Sequence, residues 1–380
     1  MHLLPDIRAA ILSLAFLPTA AADVTVKSAN YVIVGPAPKL IPLRQAQLEW
    51  SARIFETLMG VRPPRGRVVL SDTPSGSVVS LTGEAAALVN TIPLTPQPPA
   101  ADGSVWNLSW FLNERSVTGR GPLNSALTHE AAHLQLVFTV NYQASQELKD
   151  SYNGYGSFLP DWLDEAIAVF HEPESLKLAR RQRFNPAARI PLKNFFTMSH
   201  PGTPAAPQVV RIEARTPEEA RKKFAAFKAT QQAALQRTAD ALGNDKVAVD
   251  AFYGQALATI EYLTARGGLP FFRFVVAGQN SAKSFDEILP EWREKRKEIE
   301  RLRPEIEGES AKRPARLLAP GEPAGAQPAR ANKIAGVLVR PGEAVNQMPP
   351  SLELMEADFV SWVAKNYPKY RANLPRYPEK

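Results

Sequence analysis

Residues 127–138 read LTHEAAHLQLVF, which sets His129 and His133 four positions apart with Glu130 beside the first. Four positions is just over one helical turn, so on a helix both imidazoles share a face. The surroundings have a helical pattern from Pro122, a residue suited to a helix start, to about Val140. Leu123, Leu127, Leu134 and Phe138 form an apolar stripe along that stretch. Two ring nitrogens so placed can hold one zinc ion at the ~2.0–2.1 Å length of a His–zinc bond. Glu130 is positioned to reach a water that the ion activates, and Ala131 and Ala132 are small enough to let the helix pack closely. The chain has only five histidines, so two of them in this spacing call for a chemical reason.

A catalytic zinc takes three protein ligands and keeps one position open. The third ligand is expected on a second element, and the best candidate is Glu165 in PDWLDEAIAVF, thirty-two residues after His133. That interval suffices for the first helix to end, a loop to turn and a second helix to come alongside. Trp162, Leu163, Ile167 and Val169 would bury the second helix, and a carboxylate buried among them needs a cation. Asp164 is the rival. Neighbours on a helix point about 100° apart, so one of the two is expected to face the ion. His171 is a rival third ligand, and His200 a possible donor to the transition state.

His129-Glu130-x-x-His133 followed by Trp162-Leu163-x-Glu165-x-x-Ala168 resembles the gluzincin metallopeptidases, and within them the bacterial peptidase-MA-like group. A weaker likeness follows in Tyr253-Gly254-Gln255-Ala256 and Tyr262-Leu263, so the resemblance spans roughly residues 30 to 290. It implies an α+β, zincin-like fold with one zinc ion on His129, His133 and Glu165. It also implies Glu130 as general base and a peptide or protein substrate. Tyr253 could then donate to the oxyanion, as a tyrosine or histidine does in related sites, or be a packed aromatic on a core helix. The chain departs from the family at two positions. Ala166 stands where many relatives have glycine after the third ligand. Val169 stands where the thermolysin-like branch has an aspartate that orients a ligand histidine. That role must then fall elsewhere, with Asp161 and Asp164 as candidates.

Composition narrows the alternatives. With no cysteine in 380 residues, disulfides, thiolate metal sites, cysteine nucleophiles and a lipid-anchored lipoprotein are all excluded. The net charge of +7 is spread along the chain, with no basic block interleaved with aromatics, so no nucleic-acid partner is expected. The basic stretch LARRQRF (178–184) reads most simply as a solvated face. Residues 1–22 read as a signal peptide: a short apolar run from Ala9 to Leu17, then Pro18 and an A-x-A site at Ala20–Ala22. That predicts export to the periplasm or beyond. No later run is apolar enough for a membrane span. Nothing in the sequence fixes an oligomeric state.

The organisation expected is a peptidase domain over 23–290, a charged helix end and Pro/Ala-rich linker over 291–345, and a tail over 346–380 with a short helix in ADFVSWVAKNYPKYR. Within the domain, strands are expected in DVTVKSANYVIVG, GRVVLSD and VWNLSWFLN, with TPQPPAADG a loop between the last two. A helix is expected in LRQAQLEWSARIFETLMG, ending at Gly60. Others are expected from Asp161, from Thr216 to Gly243 behind a Thr216-Pro217-Glu219 capping box, and over about 250–266. The predicted architecture is a small N-terminal mixed sheet above a mainly helical half. The cleft lies between them, and an edge strand is available to align an extended peptide. The alternatives are a zincin-like scaffold without catalysis and a polyanion binder using the positive charge.

Overall fold

A computed structural model describes residues 24–35, 41–71, 101–111, 125–150, 156–201, 246–312, 332–334, 336–340 and 342–367. Expectations for the signal peptide, Pro122, most of the TPQPPAADG loop and the 216–243 helix lie outside these residues.

The chain is mixed α+β and mostly helical. Four strands, β1 (Val24–Lys27), β2 (Tyr31–Gly35), β3 (Gly66–Ser71) and β4 (Trp106–Phe111), form one sheet in chain order. β1 and β2 are an antiparallel pair, with Val24 opposite Gly35. β2, β3 and β4 run parallel, with Tyr31 opposite Gly66 and Gly66 opposite Trp106. The parallel step from β2 to β3 needs a crossover, which α1 (Ile41–Met59) supplies. Its apolar positions Leu48, Ile54 and Leu58 are wholly buried, and Gly60 closes it at φ +76°. Gly66 carries no side chain because the indole of Trp106 occupies the place of its Cβ, while Tyr31 meets that indole edge-on at 5.8 Å.

Below the sheet lies α2 (Ser125–Val140), which carries the two histidines. Every residue from Leu127 to Val137 is buried, so the apolar stripe expected for a surface helix is instead one side of a helix packed all round. Leu127, Ala131 and Leu134 join a cluster with sheet residues Tyr31, Ile33, Val68 and Leu70. Leu136 and Val140 join the larger helical core, so α2 stands between the two.

The helical half follows. The short α3 (Gln146–Asp150) leads to α4 (Asp161–Phe170), all ten residues of which are buried. Next come α5 (Glu174–Arg183), the single-turn α6 (Leu192–Phe195) and α7 (Lys246–Gly267). Gly268, at φ +84°, turns the chain into α8 (Leu269–Gln279), and α9 (Phe285–Lys312) is the longest element among the described residues. α9 runs unbroken through residue 290, where the domain boundary was expected, with Pro290 and Pro304 inside it.

The 291–345 stretch holds more structure than its composition suggests. Asn332–Ile334 (β5) and Val337–Val339 (β6) pair as an antiparallel hairpin. Val337 and Val339 alternate into the core, and Arg273 bonds both Leu338 O (2.8 Å) and Glu343, tying the hairpin to α8. α10 (Leu352–Asn366) is capped by Ser351, whose Oγ accepts from Leu354 N–H. Its face Met355, Phe359 and Val363, at i, i+4 and i+8, is buried in the same core. No helix among the described residues is long and apolar enough to cross a membrane.

Candidate metal centre

α4 is held against α2 by packing. Trp162 is buried among Phe195, Phe196 and Phe285, with its ring 4.6 Å from that of Phe196. That contact fixes the rotation of α4 and turns Asp164 and Glu165 toward the histidines. Glu165 spans the pair, with Oε2 3.5 Å from His129 Nε2 and Oε1 3.5 Å from His133 Nε2. The two Nε2 atoms are 3.2 Å apart. One donor atom from each of His129, His133 and Glu165 lies within 4.8 Å of the others, and all three residues are buried.

The far side of each ring explains why these atoms face each other. His133 Nδ1 meets Asp164 Oδ1, and His129 Nδ1 meets Glu172 Oε1 at 3.2 Å. An ionised carboxylate only accepts, so each Nδ1 must carry the hydrogen, and the neutral ring then presents a lone pair at Nε2. Two lone pairs and a carboxylate thus converge with no donor among them. Repulsion of that kind is relieved by a cation or by added protons. Burial opposes a charge on His129, but Glu165 and Glu172 outweigh it and hold the imidazole above its ordinary range. Burial likewise opposes a charge on His133, and Asp164 with Glu165 raises it well above. Burial also works against ionised Glu165, yet the histidines hold its carboxyl well below the usual range. The pocket therefore favours positive charge. Ligands at about 2.0–2.1 Å around a tetrahedral ion sit about 3.3–3.4 Å apart; the two Nε2 atoms are 3.2 Å apart, and each has a different oxygen of Glu165 at 3.5 Å. Two imidazole nitrogens and a carboxylate, with no sulfur, suit a borderline divalent cation.

Asp164 and Glu165 were expected to compete for one position, but they serve different atoms of the same pair. Asp164 orients His133 and also accepts from Ser157 N–H at 2.5 Å. That bond depends on Gly156, which sits at φ +54° and whose absent Cβ would lie 2.6 Å from Asp164 Oδ2. Asp161 accepts from the backbone N–H of His200.

Glu130 is on the same helix, one residue after His129, and is buried. Tyr253, on α7, comes within 6.0 Å of the His129 ring and 5.4 Å of the His200 ring. His200 Nε2 is 4.0 Å from Glu165 Oε1, and burial depresses its basicity. His171 stands apart. Its Nδ1 meets Ile167 O at 2.7 Å, burial drives its pKa down to about 3, and it does not belong to the donor group.

Two residues that shape the site were not foreseen, Glu172 and Arg180. Glu172 lies two turns beyond Glu165, a spacing that could have flagged it. Arg180 belongs to the stretch expected to be a solvated face, and the structure corrects that expectation. Its guanidinium grips Glu172 through Nε and Nη2, both at 2.5 Å. Lys177 and Arg181 of the same helix are buried, the first between the Trp50 and Phe170 rings, the second against Glu261 of α7. α5 turns Lys177, Arg180 and Arg181 inward, where carboxylates wait, while Arg183 stays exposed.

No family model matches the chain, and no curated protein matches it.

Proposed function

We propose that this chain is an exported zinc-dependent peptidase of the gluzincin type. One observation carries the reading: His129 Nε2, His133 Nε2 and Glu165 converge at 3.2–3.5 Å while both Nδ1 atoms are tied to carboxylates. The placement of a small mixed sheet over a helical half, with the His-Glu-x-x-His helix between, is consistent with a zincin-like fold. A zinc ion on those three residues would supply Lewis acidity toward a peptide carbonyl and toward water.

The chain's own groups do the rest. Glu130 takes the proton of the attacking water and hands it to the leaving amine. Tyr253, whose ring lies 6.0 Å from that of His129, and His200, 5.4 Å from Tyr253, would supply the hydrogen bond to the oxygen on which charge develops. Asp164 and Glu172 keep each imidazole in the tautomer that offers Nε2. β4 is an edge of the sheet among the described residues, so its backbone can pair with an extended substrate. The A-x-A site at Ala20–Ala22 supports export.

The test is elemental analysis of the mature protein with Glu130→Gln and Glu165→Ala beside it. One zinc per chain is expected. Glu130→Gln should keep zinc and lose hydrolysis of a fluorescently labelled unfolded protein, and Glu165→Ala should lose tight zinc. Full, tight zinc in Glu165→Ala would refute the ligand set. The depth of Glu130, only 1% exposed, favours a second reading in which the centre is kept for structure or binding. On that reading Glu130→Gln changes nothing measurable.

A further inference from the structure

We infer that Arg180 is a positioning residue that sets the His129 ligand and the Tyr253 ring together, an inference that rests on the metal reading above. Four residues from four parts of the fold close a ring: His129 of α2, Glu172 just after α4, Arg180 of α5 and Tyr253 of α7. Glu172 Oε1 receives His129 Nδ1–H at 3.2 Å. The Arg180 fork binds both oxygens of the same carboxylate. The guanidinium carbon lies over the Tyr253 ring, 4.5 Å from its centre. Tyr253 in turn meets the His129 ring edge-on at 6.0 Å.

The geometry shows why arginine is required. Glu172 is 2% exposed at its side chain and Arg180 12%, so the pair is shielded from water and its orientation is not averaged away. A carboxylate held at both oxygens cannot rotate, so the lone pair that meets His129 stays fixed and the imidazole plane with it. The guanidinium bonds Glu172 through its fork and lies over the Tyr253 ring at once. Lysine has neither the fork nor the face. The Arg180 side chain is therefore the common reference for a metal ligand on one helix and an aromatic at the site on another.

The test reads zinc affinity by competition with a chromophoric chelator, and the visible spectrum after loading with cobalt(II). Arg180→Gln should weaken zinc about 10-fold or more, within the 10–100-fold typical of groups behind a ligand, and shift the cobalt bands. Arg180→Lys keeps the charge and should lose part of the affinity, which covers the case in which Arg180→Gln does not fold. The double variant Arg180→Gln/Glu172→Gln should bind no more weakly than Glu172→Gln alone, because both act through one carboxylate. Tyr253→Ala should weaken zinc in the parent but not in the Arg180→Gln background, while Tyr253→Phe, which keeps the ring, should bind zinc as the parent does. The inference is overturned if Arg180→Gln and Arg180→Lys bind zinc like the parent, or if the losses at Arg180 and Glu172 simply add. A parent that binds no zinc sinks the metal reading and this inference with it, and is distinguishable from either result.

Discussion

Gly156→Ala adds one methyl group on a residue that is not itself a metal ligand, yet it should damage both the fold and the metal centre. Gly156 sits at φ +54°, in the left-handed region, where an L-residue costs about 1–2 kcal/mol. Its new Cβ would arrive 2.6–2.9 Å from three atoms of the Asp164 carboxyl group. Asp164 is 1% exposed, so it cannot retreat to water. It must give up its bond from Ser157 N–H, its contact with His133, or both. A hydrogen bond to a charged group contributes about 1.5–3 kcal/mol, so losing one of them on top of the strain brings the cost to about 3–5 kcal/mol. At roughly 2–4 °C per kcal/mol for a domain of this size, that lowers Tm by roughly 6–20 °C. Zinc affinity should fall about 10–100-fold, since His133 loses the group that fixes its tautomer. Differential scanning calorimetry of the metal-free and zinc-loaded forms, with chelator competition, measures both effects. If Gly156→Ala melts within a degree of the parent and binds zinc equally well, Asp164 is not what holds His133.

Glu261→Gln strands Arg181, whose side chain is fully buried. Glu174 remains as a partially exposed second partner, so the loss should be about 2–4 kcal/mol, slightly below that of an unsupported buried pair, by urea titration. Phe359→Ala should cost about 3–5 kcal/mol because that ring is wholly buried in the shared core, and limited proteolysis should then cut α10 first. His171→Gln should lower stability by about 1–3 kcal/mol yet leave zinc content at the parental level, since His171 bonds Ile167 O and stands outside the donor group. A zinc-depleted His171→Gln protein would return that residue to the ligand set.

The parts legible in the sequence are those written in local periodicity. The four-residue spacing of His129 and His133, the β-branched runs of β1 and β2, and the α1 repeat ending at Gly60 each rest on residues a few positions apart. Glu165 was legible because a charge among Trp162, Leu163 and Ile167 is anomalous without a partner. Glu172 and Arg180 were not, because their meaning depends on contacts across elements: His129 is 43 residues from Glu172, and Arg180 meets Tyr253 only once α5 and α7 are packed. The same cause misled the reading of Arg180 and Arg181, which look solvated until Glu172 and Glu261 are placed opposite. The hairpin at 332–339 was masked by its Pro- and Ala-rich neighbours, although Val337 and Val339 carry a strand's alternation.

All three donors, and every residue described as holding them, come from the helical half or from α2, which joins it. The sheet contributes none. The strand residues outside the cluster Tyr31, Ile33, Val68 and Leu70 that packs on α2 can therefore be rewritten by mutation without disturbing the inner coordination geometry. On the proposed function, variation in recognition along the sheet edge and preservation of the metal site would act on physically separate parts, and chimaeras that exchange strand residues outside that cluster should still load metal.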